Sequence, residues 1–371
     1  MKIRIERDVL ADAVSWAART LPSRPSLPVL AGVVLTAEGS KVTLSSFDYE
    51  VSARVEVEAV VEEPGTALVS GRLLSDIAKS LPLKPVVIAS EGSRVSISCE
   101  RSSFTLPTLP IEDYPQLPSM PEASGTVDAN TFATAVAQVA IAAGRDDTLP
   151  TLTGIRMEFD GATITLAATD RYRLAVREFT WKPNSSSLDT AALVPARNLS
   201  DTAKSLVAGD DVIIALGPSG ERLIGFEGNA RRTTSRLLDG EFPKYRSLLP
   251  SESSSIADVD SAALVEAVKR VALVAERNTP VRLAFGGGEV SLRAGAGDDA
   301  QATEALECSI EGDDIEIAFN PGYLLDGLNA SGAATARFSF TQATRPAVLT
   351  GHGEGAVDDY RYLLMPVRLT G

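Results

Sequence analysis

Residues 70–81 read SGRLLSDIAKSL and residues 195–206 read PARNLSDTAKSL, nearly one phrase written twice at a separation of 125 positions. A further step of 125 lands on FNPGYLLDGLNAS at 319–331, so that Asp76, Asp201 and Asp326 fall in register among leucines. A second phrase recurs in the same order: SRPSLPVLAGVVL at 23–35, RDDTLPTLTGIRM at 145–157 and, more faintly, ERNTPVRLAF at 276–285. A third pairs PIEDYPQL at 110–117 with DGEFPKYRSLL at 239–249. Ordered recurrence of this kind means a triplicated unit, and 371 residues divide into thirds of about 124. That is the size of a domain, not of a solenoid repeat. Stretches rich in Pro and Ser at 106–125 and 247–260 suit exposed connectors, which puts the domains at 1–122, 123–250 and 251–371.

Each third opens on a one-sided apolar stripe at helical spacing. The stripes are Val9, Ala13, Ala17 and Leu21 with Leu10 and Val14 beside them, then Phe132, Val136, Val139 and Ala143, then Leu264, Val268, Val271 and Ala275. The repeated phrase predicts a second, shorter helix in each third. Alternation in VSARVEV (51–57), ATITL (162–166) and DIEI (314–317) predicts half-buried strands. The fold class is therefore α+β: three similar domains, each with two helices packed on antiparallel sheet.

The net charge of −14 argues against a nucleic-acid partner, since phosphate binders usually carry a basic excess. The charge is unevenly placed, however. The predicted helix windows (7–20, 71–81, 131–145, 196–206, 262–277 and 321–330) hold ten basic and seven acidic residues, a balance of +3 that leaves −17 for the rest. Arg72 and Lys79, and again Arg197 and Lys204, are the cations of the repeated phrase. Six globules of this size in a ring would enclose a hole about 35 Å wide, enough for a nucleic-acid duplex.

Enzymatic chemistry finds little footing. His352 is the single histidine, and Cys99 and Cys308 are too few for a zinc site around it. The cysteines fit a reducing compartment, as small buried hydrophobes. No phosphate-binding glycine loop is present. The acidic pairs Asp146–Asp147, Asp298–Asp299, Asp313–Asp314 and Asp358–Asp359 sit in turn-like contexts and read as solvated loops. No metal or cofactor is expected. The sequence shows no signal-peptide pattern and no apolar run long enough to span a membrane, so the expected compartment is the cytoplasm.

The triplication, RPSLPVL (24–30), TDRYRLAV (169–176) and the C-terminal YLLMPVRL (362–369) together resemble the bacterial sliding clamps, the beta subunits of DNA polymerase III, over the whole chain. The resemblance implies a non-enzymatic processivity factor. Two chains join head to tail in a ring of six domains around duplex DNA, with helices lining the hole and sheets outside. It implies as partners the alpha subunit of DNA polymerase III, a clamp loader, and other polymerases and repair proteins that dock a short peptide between the second and third domains.

Carried over by motif, the peptide cleft comprises Leu152, Thr169, Arg171, Tyr172, Arg173, Leu174, Pro243, Leu248, Met365, Pro366, Val367, Arg368 and Leu369, with Asn320 and Tyr323 at its rim. Thr370 and Gly371 extend past its last residue. Arg24 matches a DNA-contacting arginine. The equivalent loop of the second third has Pro150 and Thr151 where the family has aromatics, and Arg145 is the substitute contact. The ring interface implied by the resemblance pairs Phe104 and Leu106 with Leu273 and Val274. The alternative class is a triplicated β-rich peptide-binding module that never encloses DNA.

Overall fold

A computed structural model of the chain describes residues 1–218, 221–275, 279–295, 300–357 and 359–368. Six α-helices lie among them: α1 (Arg7–Ala17), α2 (Gly71–Ser80), α3 (Ala129–Ala140), α4 (Ala196–Leu206), α5 (Ser261–Val271) and α6 (Pro321–Ser331). They fall on the predicted windows, two to a third, and the ends differ for local reasons. The first stripe was expected to run from Val9 to Leu21, but Val9 is 39% exposed and the buried face is Leu10, Ala13, Val14 and Ala17. A single-turn 3-10 helix, Ala18–Thr20, then closes the element. α3 stops at Ala140, before Ala143.

The chain forms two compact units that do not follow the thirds. The first comprises Met1–Asn130, Lys182–Ser185 and Asp201–Leu237; the second comprises Thr131–Trp181, Ser186–Ser200 and Leu238–Gly371. The reason is strand pairing. All ladders among the described residues are antiparallel, and two join strands of different thirds. Arg231–Ser235 pairs with Val51–Val55 in the first unit, and Arg173–Arg177 pairs with Tyr360–Leu364 in the second. The first unit therefore holds a nine-stranded and a five-stranded sheet, and the second a continuous run of twelve strands. Each strand has an apolar face to bury, and an edge left open would present unpaired backbone groups. Each pairing across the repeat covers one such edge on both strands it joins.

In the first unit α1 and α2 pack on sheet through Leu10, Val14, Leu74 and Ala78, all at or below 1% exposure. In the second, α5 and α6 bury Leu264, Val268, Leu324 and Leu328. Phe285, Phe338 and Phe340 fill the layer beneath with ring centroids 5.2–5.9 Å apart. α6 approaches the sheet closely because residue 327 is glycine: a Cβ there would stand 2.4 Å from the ring of Tyr362. Both cysteines are free thiols. Cys99 is buried as expected, whereas Cys308 is half-buried on a strand whose side chains alternate toward solvent.

Candidate peptide cleft and cationic helices

TDRYR at 169–173 makes a tight turn between two strands. Asp170 Oδ1 accepts from the backbone N–H groups of Tyr172 and Arg173 at 3.0 Å each. Thr169 Oγ1 donates to the Arg173 carbonyl at 2.7 Å. A carboxylate that bonds its own backbone two and three residues on is the local cause of the turn. The turn forces Arg171 into the left-handed region at φ 79°. The Met365 N–H donates to the Tyr172 carbonyl at 2.9 Å, which ties the C-terminal segment to this turn.

Arg173 is among the residues expected at the peptide cleft. Its side chain is buried and committed within the chain. Nε donates to Asp170 Oδ2 at 3.0 Å, Nη1 donates to Asp326 and to the Tyr362 hydroxyl, and the guanidinium lies 4.3 Å over the ring of Tyr323. Burial works to lower its pKa, but Asp326, Tyr362 and Asp170 outweigh that and push it above the ordinary arginine value. The Tyr362 hydroxyl in turn donates to the Tyr323 carbonyl at 2.8 Å, and burial raises its own pKa. Arg173 thus staples the turn to α6 through a multiply bonded ion pair.

A cavity of about 660 Å³ opens beside this network. Of the expected cleft residues it takes Leu152, Arg171, Tyr172, Arg173, Asn320 and Tyr323. Tyr172 is 60% exposed, its ring stacked 6.4 Å from that of Tyr323. Asn320 caps α6 by accepting from the Tyr323 N–H at 3.1 Å. Arg145, read from sequence as a DNA contact, lines the same cavity.

The remaining cleft candidates lie elsewhere in the second unit. Thr169 and Leu174 are buried. Leu174 belongs to an apolar cluster with Val176, Phe242, Tyr245, Val348 and Leu363. Leu248 and Met365 are 50% and 40% exposed, Pro366 and Val367 are half-buried, and Arg368 is exposed. Leu369, with Thr370 and Gly371, lies outside the described residues. Pro243 lines a second cavity, of about 640 Å³, with Arg156, Glu158, Tyr245 and Arg246.

Glu158 holds the second cavity together. It accepts from Arg156 Nε at 2.6 Å and from the Tyr245 hydroxyl at 2.9 Å, and it pairs with Arg246. Burial would raise its pKa, but these donors win and hold it below the usual glutamate range. The consequence is positional: Tyr245 and Arg246 begin the short helix Tyr245–Leu248, which carries Leu248.

The cationic candidates Arg24, Arg72, Lys79, Arg145, Arg197 and Lys204 are all exposed. On α2 and α4 the spacing is identical: Arg, then Asp four on, then Lys three further, along one helical face. The buried faces oppose it, with Leu74, Ile77 and Ala78 on α2 and Leu199, Ala203 and Leu206 on α4. The expected helix balance of +3 shrinks to +1, with seven basic and six acidic residues within the observed helices. Arg19 and Arg145 fall past helix ends, and Glu276 and Arg277 lie outside the described residues. Several of the rest are paired: Lys269 with Glu266 at 2.8 Å, Arg270 with Glu304, and Arg7 with Asp8 at 2.7 Å. The cationic character therefore resides on α2 and α4 rather than on helices in general.

The interface candidates divide. Phe104 is 37% exposed on Ser102–Pro107, an edge strand of the five-stranded sheet. Leu273 is 83% exposed and Val274 half-buried. Leu106, at 2%, is core of the first unit, so its side chain is not at the surface as expected.

Sequence reasoning missed Glu158, Asp170 and Asp326 as organisers of the site. Asp326 had a visible signal. The third repeat keeps the Asp but has Gly322 and Asn329 where the other two have Arg and Lys, so its carboxylate has no cation on its own helix. Among the described residues, no group of three or more His, Cys, Asp or Glu could hold a metal, and no helix is long and apolar enough to cross a membrane. Asp146 and its acidic neighbour sit in a turn as read, where Asp146 accepts from Thr148. Asp298, Asp299 and Asp358 lie outside the described residues.

This arrangement has close counterparts. Family models for the DNA polymerase III beta subunit match in order: the N-terminal domain over residues 1–118, the central domain over 126–244 and the C-terminal domain over 246–368. The beta sliding clamp of Streptomyces coelicolor is 61% identical over the whole of both chains, and that of Micrococcus luteus is 55% identical over 84% of this chain and the whole of its own. Among solved structures, a Pseudomonas aeruginosa sliding clamp bound to griselimycin superposes with a TM-score of 0.93 at 30% identity, covering both chains fully. The Bacillus subtilis DNA polymerase sliding clamp gives 0.93 at 26% identity, over 100% of this chain and 99% of its own. The chain belongs to the DNA polymerase III beta subunit family, the beta sliding clamps.

Proposed function

We propose that the chain works as a cytoplasmic, non-enzymatic processivity factor. Two copies close head to tail around duplex DNA and tether polymerases and repair proteins by peptides docked in the second unit. The observation that carries this reading is the repetition of one exposed Arg–Asp–Lys face on α2 and α4 of a chain whose net charge is −14. Such a face meets phosphates without reading sequence, and salt weakens the contact. Linkage by a closed ring then supplies the persistence that loose contacts lack. Arg24 and Arg145 extend the DNA-facing set.

The open edge at Ser102–Pro107 with Phe104, and the exposed Leu273 beside Val274, suit a head-to-tail contact between copies. The cleft is read as two subsites: the cavity of Tyr172, Tyr323 and Arg171, and an apolar wall drawn from Pro243, Leu248, Met365 and Leu174. The buried Thr169 and Arg173 belong to the same set, as do Pro366, Val367 and Arg368, and the motif extends it to Leu369, outside the described residues. The repeat boundaries near 122 and 250 remain the domain limits in this reading.

Retention on circular DNA tests the proposal. The protein is loaded on a nicked circle with a clamp loader and ATP and isolated at moderately high salt, and the DNA is then linearised. Retention on the circle with loss on cutting is the expected result. Binding that survives cutting would mean a grip by contacts alone, and a single-chain mass in solution would exclude the ring.

A further inference from the structure

We propose that Arg171 sets the specificity of the peptide cavity, selecting partner segments that bring a carboxylate beside their apolar anchors. The inference rests on the reading of that cavity as the peptide site and deepens it. Six charged side chains line the space, and most are already engaged. Arg173 is enclosed by Asp170 and Asp326. Asp146 Oδ1 accepts from the backbone N–H and the hydroxyl of Thr148 at 3.0 and 2.6 Å, and its carboxylate also feels the charge of Arg171 without an ion pair, one acid against two remaining arginines. Arg145 and Arg171 remain, both exposed, with no hydrogen bond or ion pair to either guanidinium among the described residues. The charge left open to a ligand is positive.

Arg171 is the better placed of the two. It stands on the turn clamped by Thr169 and Asp170, next to Tyr172, which lines the cavity with its ring stacked on Tyr323. The backbone beneath it is left-handed, a conformation that disfavours any side chain. Tyr49 occupies the same strained position in the related turn of the first unit, and its ring packs 5.6 Å from that of Phe47. The Arg171 side chain has no comparable intramolecular contact. A planar fork of donors on a clamped backbone, free of hydrogen bonds and ion pairs and next to an aromatic side chain, matches a carboxylate that arrives with the ligand.

The test uses the full-length chain and two labelled synthetic peptides with identical apolar anchors, one with Asp and the other with Asn at the adjoining position. Fluorescence polarisation compares wild type, Arg171→Gly and Arg171→Lys. The wild-type chain should prefer the Asp peptide by about three- to ten-fold at low salt, less at high salt. Arg171→Gly should erase the preference, with the loss of affinity several-fold larger for the Asp peptide than for the Asn peptide, and Arg171→Lys should restore part of it. Equal binding of both peptides by wild type, a preference that survives Arg171→Gly, or an equal loss for both peptides would each overturn the assignment. Failure of either peptide to bind the wild-type chain would instead remove the peptide reading of the cavity. Intact peptide selectivity in Arg171→Gly with reduced retention on DNA would give the residue to phosphate and also overturn it.

Discussion

The turns Asp48–Val51 and Asp170–Arg173 are one backbone device used twice. In each, an aspartate Oδ1 accepts from the N–H groups two and three residues on, at 2.9 and 2.7 Å in the first and 3.0 Å twice in the second. In each, the residue after the aspartate is left-handed, Tyr49 at φ 76° and Arg171 at φ 79°. In each, the strand that follows pairs with a strand of a different third. The side chains part company at the last position. Val51 is a buried hydrophobe, whereas Arg173 is a buried cation tied to Asp170, Asp326, Tyr323 and Tyr362. Duplication kept what the backbone needs and released the side chains, and one unit gained a polar hub beside a cavity.

The hub is the point at which the comparison breaks most sharply. Replacing Arg173 by Ala leaves Asp170 and Asp326 without their cation and opens a void over Tyr323. The expected cost is about 3 kcal/mol, since removing one partner of a buried pair strands the other. Val51→Ala in the first turn removes only apolar contact and should cost about 1–2 kcal/mol. Thermal unfolding, read transition by transition for a chain of two compact units, measures both. A smaller effect for Arg173→Ala than for Val51→Ala would mean that the network adds nothing to packing. Peptide affinity should fall with Arg173→Ala and stay unchanged with Val51→Ala.

Gly327→Ala tests the same hub from its other side. The added Cβ would meet the Tyr362 ring at 2.4 Å, so α6 must shift and carry Asp326 away from Arg173. Overpacking of this kind costs about 1–3 kcal/mol. Loss of peptide binding together with the drop in melting temperature is the expected signature, and an unchanged melting temperature would show that α6 moves freely.

Much of this was legible in the sequence, for identifiable reasons. Helices α2 and α4 were readable because a 3.6-residue period and a repeated phrase reinforce each other. The turn at 169–173 was readable as a motif. The burial of Arg173 was not, because an arginine in a polar loop gives no local sign of carboxylates at Asp326, distant in the chain. Nor was the two-unit organisation visible, since strand pairing between thirds leaves no trace in periodicity. Leu106 illustrates the converse: apolar identity says that a residue is to be covered, not by what, and Val9 stays 39% exposed despite its apolar side chain.

Glu158 gives the second unit a pH axis. Its pKa is held below the usual glutamate range by Arg156, Tyr245 and Arg246 against the effect of burial. A carboxyl group depressed on folding contributes stability above its unfolded pKa, and that contribution is lost as pH falls through the folded value. The wall carrying Leu248 should therefore loosen under acid. Glu158→Gln should cost about 1–2 kcal/mol at neutral pH and flatten the acid limb of the melting-temperature profile. An acid limb identical to wild type would remove Glu158 from the cause.

The smallest expected effect is the most discriminating, because it changes sign between the two turns. Glycine relieves the left-handed strain at either position, a gain of about 1–2 kcal/mol, and costs about 0.5–1 kcal/mol in unfolded-chain entropy. Arg171 gives up no intramolecular hydrogen bond or ion pair, so Arg171→Gly should stabilise the second unit by up to about 1 kcal/mol. Tyr49→Gly forfeits the contact with Phe47 and the cover its half-exposed ring provides, worth about 1–2 kcal/mol, and should come out neutral or destabilising. Opposite shifts of the melting transition would identify Arg171 as the side chain held in strain without a structural return. Equal shifts would mean that the two turns are energetically alike and that Arg171 rests on packing as Tyr49 does.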